Sequence, residues 1–330
     1  MRKTVCATLA VMMSVLFSPL SQAGQAWESY KARFFKPEGR IVDTGNGGVS
    51  HTEGQGFAML MAVAYDDKAT FDKLWQWTNR ELKNKENGLF YWRYNPAESN
   101  PVADKNNAAD GDVLIAWALL KADARWHDKR YGAASDAITK ALVAHSVIRY
   151  AGYRVMLPGV QGFKLDGEAI LNPSYFVFPA WQAFAGRSHL PVWRDLIKDG
   201  KRLLGKMGSG KADLPADWVS LASDGKLEPA KGWPPRMSYD AIRIPLYLAW
   251  SDKQSPLLAP WKAWFGQFPR EQTPAWVNVM TNEYAPYMME GGLLAVRDLT
   301  MGQSSGEPEI TSKDDYYSAS LKMLAWISAQ

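Results

Sequence analysis

The sequence predicts an all-α fold, a closed barrel of paired helices, from three observations. The first is the stretch Ala108–Trp126, AADGDVLIAWALLKADARW, where Asp110 and Asp112 flank one glycine and precede an almost wholly apolar run from Val113 to Leu120. Acids are favoured at a helix start, where amide groups lack partners and the dipole is positive; a segment apolar on all sides is a helix buried on all faces. The second is recurrence. His51–Gly56 precedes the apolar run Phe57–Ala64, Asn172–Tyr175 precedes Phe176–Trp181, Ser238–Asp240 precedes Ala241–Trp250, and Asp314–Tyr317 precedes Ser318–Ile327. The third is what lies between them: amphipathic segments at Ala69–Leu82, Tyr131–Ile148, Leu190–Met207 and Pro256–Phe265. Apolar inner helices alternating with amphipathic outer ones make repeated helical pairs, and a ring of such pairs points its inner N-termini at one mouth. Glu53, Asp110, Tyr175, Asp240 and Asp315 would converge there. A single acid before a single helix is explained by capping; five such knots are not.

In chain order, Met1–Ala23 reads as a cleaved signal peptide. Arg2 and Lys3 form its charged start, Val5–Phe17 its apolar run, and Ser21-Gln22-Ala23 a small-x-small cleavage site. The run is too short to span a bilayer, and no later stretch of membrane length lacks charges. Residues 24–330 then form one catalytic domain with no linker of shifted composition. Gly24–Phe35 has the pattern of a first outer helix, and Pro37–Ser50 is a glycine-rich loop leading to Glu53, which Gly54 and Gly56 leave uncrowded. Asn87–Asn95, NGLFYWRYN, is an aromatic turn or hairpin in which Phe90, Trp92 and Tyr94 would share a face. It fits equally a hydrophobic lid and a stacking platform for a sugar. Ala151–Leu171 and Gly208–Pro235 are long β-like loops at the mouth, and loops of that length in a compact domain usually serve function. Arg243 follows Asp240 by three residues, so one helical turn puts both on one face. Pro286–Thr300 is a further core helix, and Gly302–Lys313 a polar loop into the last one.

Composition narrows the function. Fifteen tryptophans exceed ordinary core needs, and flat aromatic faces suit pyranose rings. The only cysteine, Cys6, lies in the leader, so the exported chain has no disulfide. Losing Arg2 and Lys3 takes the formal net charge from +4 to +2, too near neutral to suggest nucleic acid. The four histidines show no ligand spacing, there is no nucleotide-binding or serine-hydrolase motif, and neither cofactor nor metal is expected.

Carboxylates on separate mouth-facing helices, with aromatic platforms, fit glycoside hydrolysis, which needs a proton donor to the leaving oxygen and a second carboxylate that activates water or attacks directly. Spacing alone does not choose which acids. Ala108, Asp110, Gly111, Asp112, Ile115, Ala116, Ala118, Ala122 and Trp126 resemble the signature of glycoside hydrolase family 8, departing from it at Ala109, where Ser or Thr is usual. Thr52–Phe57, Asn172–Tyr175 and Tyr239–Arg243 resemble three further blocks of that family, in the right order. The resemblance implies an (α/α)6 barrel and an inverting mechanism, with Glu53 as general acid and Asp240 as general base. It implies that Asp110 binds the sugar at the cleavage point, that Tyr175 helps hold the attacking water, that Tyr239 and Arg243 support the base and the sugar, and that Trp92 stacks on substrate. One short catalytic domain behind a leader is similar to the endoglucanases that accompany bacterial cellulose synthase. This implies a periplasmic or secreted enzyme acting on a β-1,4-glucan chain, with the cellulose synthase export machinery as a partner. Chitosan, xylan and mixed-linkage glucan are alternative substrates, and a non-catalytic glucan-binding export factor is the alternative from another class.

Overall fold

A computed structural model describes residues 24–303 and 306–330; the expected signal peptide, residues 1–23, lies outside them. Eleven α-helices are present among the described residues: α1 (Gln25–Phe34), α2 (Thr52–Ala64), α3 (Lys68–Glu81), α4 (Ala109–Trp126), α5 (Lys129–His145), α6 (Phe178–Ser188), α7 (Pro191–Leu204), α8 (Arg243–Ser251), α9 (Ala259–Phe265), α10 (Gly291–Thr300) and α11 (Tyr316–Ala329). They close a ring. α2 packs on α4, α4 on α6, α6 on α8, α8 on α10 and α11, α10 on α11, and α11 back on α2. Outside it, α3 packs on α2, α5 on α4, α7 on α6, α9 on α10 and α1 on α11. This is the closed α/α barrel expected from the alternating pattern, of the (α/α)6 type that the resemblance implies.

The apolar runs fill the centre. Every residue of α2 from Gly54 to Val63, and of α4 from Ala109 to Leu119, is buried. Two of the outer helices start on side-chain caps: Asp67 accepts from Thr70 N–H ahead of α3, and Asp128 from Arg130 N–H ahead of α5. Glycines let the inner N-termini crowd together. A Cβ on Gly111 would lie 2.1 Å from Thr52 Oγ1, one on Gly56 2.5 Å from Leu114 Cβ, and one on Gly54 2.6 Å from the Tyr316 hydroxyl. Gly54 and Gly56 therefore do more than uncrowd Glu53: they allow α2, α4 and α11 to touch backbone to side chain where the acids emerge.

Short strands decorate the helix ends: β1 (Ser50–His51), β2 (Arg93–Tyr94), β3 (Val147–Tyr150), β4 (Tyr153–Met156), β5 (Glu168–Leu171), β6 (Val219–Ala222), β7 (Leu227–Pro229), β8 (Arg236–Met237) and β9 (Val277–Asn278). All pairings are antiparallel: β1 with β2, β3 with β4, β5 with β6, β6 with β7, and β8 with β9. The outer segment expected over Tyr131–Ile148 ends as a helix at His145, because Val147 onward turns back as a hairpin through Ala151 and Gly152, both at positive φ (48° and 80°). Two inner helices start later than their apolar runs. Pro173–Tyr175 is a 3-10 turn and α6 begins at Phe178, with Pro179 in its first turn where a missing N–H is harmless. Ala241 and Ile242 remain a turn before α8, since Asp217 takes up the N–H groups of Ser238 and Ala241.

Candidate active site

Three acids from three elements meet on one cation. Arg243, the first residue of α8, is 4% exposed. Its Nη1 lies 2.7 Å from Glu53 Oε2, in the first turn of α2, and its Nη2 lies 3.2 Å from Asp240 Oδ1 and 3.8 Å from Asp110 Oδ2, in the first turn of α4. The same Nη2 donates to Ser174 Oγ (2.9 Å), and Nη1 donates to the Tyr317 hydroxyl (3.3 Å). Tyr317 in turn donates to the backbone carbonyl of Tyr239. Asp110 is buried and also accepts from Gly111 N–H at 2.8 Å.

One guanidinium cannot balance three crowded carboxylates, so the cluster favours keeping protons. Burial, then the neighbouring Glu53, pushes Asp110 well above the usual carboxylate range. Burial raises Asp240 as well, against the opposing pull of Arg243. Tyr175 packs beside the cluster, and its phenol is raised by burial and by the charges of Asp110 and Asp240, so it stays a neutral O–H. Asn172, whose Oδ1 accepts from Ser174 N–H and Oγ, and Trp218 are the polar side chains that hold Asp240 down.

A cleft runs beside the cluster. Its larger hollow, about 500 Å³, is lined by Tyr239, Tyr287, Glu290, Asp315 and Tyr317; a smaller one, about 230 Å³, is lined by Asp217, Trp218, Trp233, Trp276 and again Tyr239 and Tyr287. Phe163, Trp218 and Trp233 form a stack with centroids 5.7 and 4.9 Å apart, and Tyr175 meets Trp218 edge-on at 6.2 Å. Exposed Tyr239 touches Tyr287 hydroxyl to hydroxyl at 3.3 Å, and burial with that contact raises its phenol to about 12. Its side chain thus faces the cleft, and its link to the acids runs through its carbonyl and Tyr317.

Other sequence expectations resolve differently. Asp315 does not join the cluster: it caps α11, accepting from Ser318 N–H at 2.7 Å, while its neighbour Tyr317 reaches Arg243. Asp112 turns the other way. It accepts from Phe90 N–H (2.9 Å) and Asn107 Nδ2 (2.8 Å), fastening the aromatic turn to α4, and burial lifts it to about 7. The aromatics of that turn part company: Phe90 is buried against Trp75, Tyr94 packs on Trp77, and half-buried Trp92 donates from Nε1 to Asp104 at 2.7 Å. The Trp92 carbonyl accepts from Thr52 N–H at 3.0 Å, which puts this residue next to Glu53. That position favours the platform over the lid. Trp92→Ala is expected to raise KM for long glucans roughly 2- to 10-fold, from about 0.5–1.5 kcal/mol of lost ring contact, with little change in melting temperature. A collapse in melting temperature at unchanged KM would assign it to the core.

Sequence reasoning missed Asp217 and Tyr317. Asp217 precedes a tryptophan in a long mouth loop, and that is the one local signal. Tyr317 was inside the Asp314–Tyr317 knot, where the acids drew the choice.

The pattern that defines glycosyl hydrolases family 8 matches residues 1–330. An endoglucanase of Cellulomonas uda is 62% identical over 303 residues, covering 92% of this chain and 84% of that protein. The crystal structure of endoglucanase Cel10, a family 8 glycosyl hydrolase from Klebsiella pneumoniae, superposes with a TM-score of 0.92 at 66% identity, covering 92% of this chain and 98% of that one. The endo-β-1,4-glucanase CMCax from Acetobacter xylinum superposes at 0.88 with 39% identity over 93% of this chain and 97% of that one.

Proposed function

This chain belongs to glycosyl hydrolase family 8 and is an inverting endo-β-1,4-glucanase, and from that premise we propose that Glu53 is its general acid and Asp240 its general base. The observation that carries the assignment is the convergence of Glu53, Asp110 and Asp240 from three separate elements on buried Arg243, beside an aromatic cleft. An inverting pair needs room for a water, with carboxyls about 6.5–9.5 Å apart. Two acids held on different nitrogens of one guanidinium, one from a helix and one from a turn, suit that arrangement.

In this reading the glucan lies along the cleft, its rings against Trp92 and the Trp218–Trp233 stack. Glu53 gives a proton to the glycosidic oxygen as the bond breaks. Asp240, at the open side of the cluster with about a third of its side chain exposed (32%), takes a proton from the water that attacks the opposite face of the sugar. Tyr175, kept neutral by its surroundings, orients that water. Asp110, with its raised proton affinity, both donates to and accepts from the hydroxyls of the distorted ring. Arg243 holds the three acids together until substrate arrives. The chain works outside the cytoplasm, in the periplasm or secreted, on cellulose-type glucan made by a cellulose synthase with its export machinery. The leader-like first 23 residues support the export.

Proton NMR of a β-linked cello-oligosaccharide digest should show the new reducing end first as the α-anomer, before mutarotation. Early β-anomer would mean a covalent intermediate and remove Asp240 from the base role. Initial rates on a soluble cellulose derivative, chitosan, xylan and mixed-linkage glucan should rank the cellulose derivative first; a higher rate on chitosan or xylan would overturn the substrate assignment.

A further inference from the structure

Asp217 is 24 residues from Ala241 in sequence, yet its carboxylate closes the turn that carries Asp240. Oδ1 accepts from the backbone N–H of Ser238 (2.9 Å) and of Ala241 (2.8 Å), one on each side of the Tyr239-Asp240 pair, and Oδ2 accepts from the Ser238 hydroxyl. Its own N–H donates to the carbonyl of Arg236 at 2.7 Å, fastening it to the strand that leads into the turn. The next residue, Trp218, faces the Asp240 carboxyl with its indole and is locked between Phe163 and Trp233. A half-buried carboxylate that accepts three hydrogen bonds from one short turn is a structural clamp by ordinary reckoning. Here the clamped residue is the one assigned to activate water, and a displacement of about 1 Å at such a group costs on the order of 10²-fold in rate.

We propose that Asp217 is a positioning residue for the general base: it fixes the backbone on both sides of Asp240 and, when ionised, sets a second negative charge beside it. This rests on Asp240 being the base. The groups that face Asp240 are Glu53 from α2, Asp110 from α4, Tyr175 and Asn172 from the 3-10 turn, Arg243 from α8, Tyr317 from α11, and Asp217 with Trp218 from the mouth loop. Asp217 is raised to about 6 by burial and then by the charge of Asp240. Below that pH it is mostly neutral and acts only as a clamp. Above it, two like charges sit together, which strengthens the proton affinity of Asp240 and so its power as a base.

The two parts separate by substitution. Asp217→Asn keeps an oxygen for Ser238 and Ala241 N–H, and the Ser238 hydroxyl can turn to accept from the amide, so the clamp survives without charge. Its kcat on a soluble cellulose derivative should match wild type near pH 5 and fall several-fold below it near pH 7, at unchanged KM. Asp217→Ala loses the clamp as well, and its kcat should fall about 10²-fold at both pH values per folded molecule. Folded fraction is read from near-UV circular dichroism and melting curves. The proposal is overturned if Asp217→Ala loses no more activity than its folded fraction explains, if the loss appears in KM alone, or if Asp217→Asn differs from wild type equally at pH 5 and 7. Asp240→Asn is run beside them: an active Asp240→Asn breaks the base assignment itself, whatever the Asp217 variants do.

Discussion

Glu53→Gln is expected to leave a folded protein that hydrolyses a soluble cellulose derivative at least about 10²–10⁴-fold more slowly, the span that general acid catalysis contributes. The amide has the size of the carboxyl, and its oxygen can still accept from Arg243 Nη1, now 2.7 Å from Glu53. What it cannot do is deliver an acidic proton to the leaving oxygen. The substitution also removes the largest neighbouring charge that holds Asp110 above the usual carboxylate range, so the cluster loses like-charge crowding and the fold should hold. Reducing-end release by the purified variant, with its melting curve, reads both parts. Turnover near wild type would take Glu53 out of the role, with Asp110 the next acid to test. Asp240→Asn is expected to be inactive to a similar degree, for the matching reason that an amide does not take a proton from water.

The ring of helices was legible because burial writes itself into sequence as uninterrupted apolar runs: Phe57–Ala64 and Val113–Leu120 are inner helices for that reason alone. The acids at their starts were legible because few residue types suit a helix N-terminus that faces solvent. Capping and catalysis use the same residue types there, however. Asp315 and Asp240 look alike as letters before apolar helices, yet one caps α11 through Ser318 N–H and the other faces Arg243. The difference is a backbone turn: Asp240 is freed from capping because Asp217, supplied from a distant loop, satisfies the local amides in its place. Long-range supply of that kind leaves no periodic trace. The same holds for Asp112, whose partners Phe90 and Asn107 lie in the preceding loop and turn its carboxyl away from the cleft.

Arg243→Met should show the largest loss of stability of any substitution in the cleft. Methionine fills a similar volume but leaves Glu53, Asp110 and Asp240 without their shared cation, and the Ser174 and Tyr317 hydroxyls without their donor. Breaking a buried pair by removing one partner costs about 3–5 kcal/mol, and here three carboxylates lose the same partner. The loss should depend on pH. Asp110 and Asp240 have folded-state pKa values raised above the unfolded carboxylate value of about 3.9. Below that value they are protonated in both states and add no penalty; as pH rises from about 3.9 towards the raised folded values, the unfolded chain has released protons that the folded one still holds, and stability falls until the folded groups ionise as well. Without Arg243 those folded values rise further, so the penalty at neutral pH grows. Urea unfolding of Arg243→Met should therefore show its greatest deficit against wild type near pH 7 and a smaller one near pH 4.5. Arg243→Lys keeps the charge but not the planar fork that reaches three acids at once; it should recover part of the stability while kcat stays low. An equal deficit for Arg243→Met at both pH values would mean that Arg243 stabilises the barrel by packing rather than by its charge.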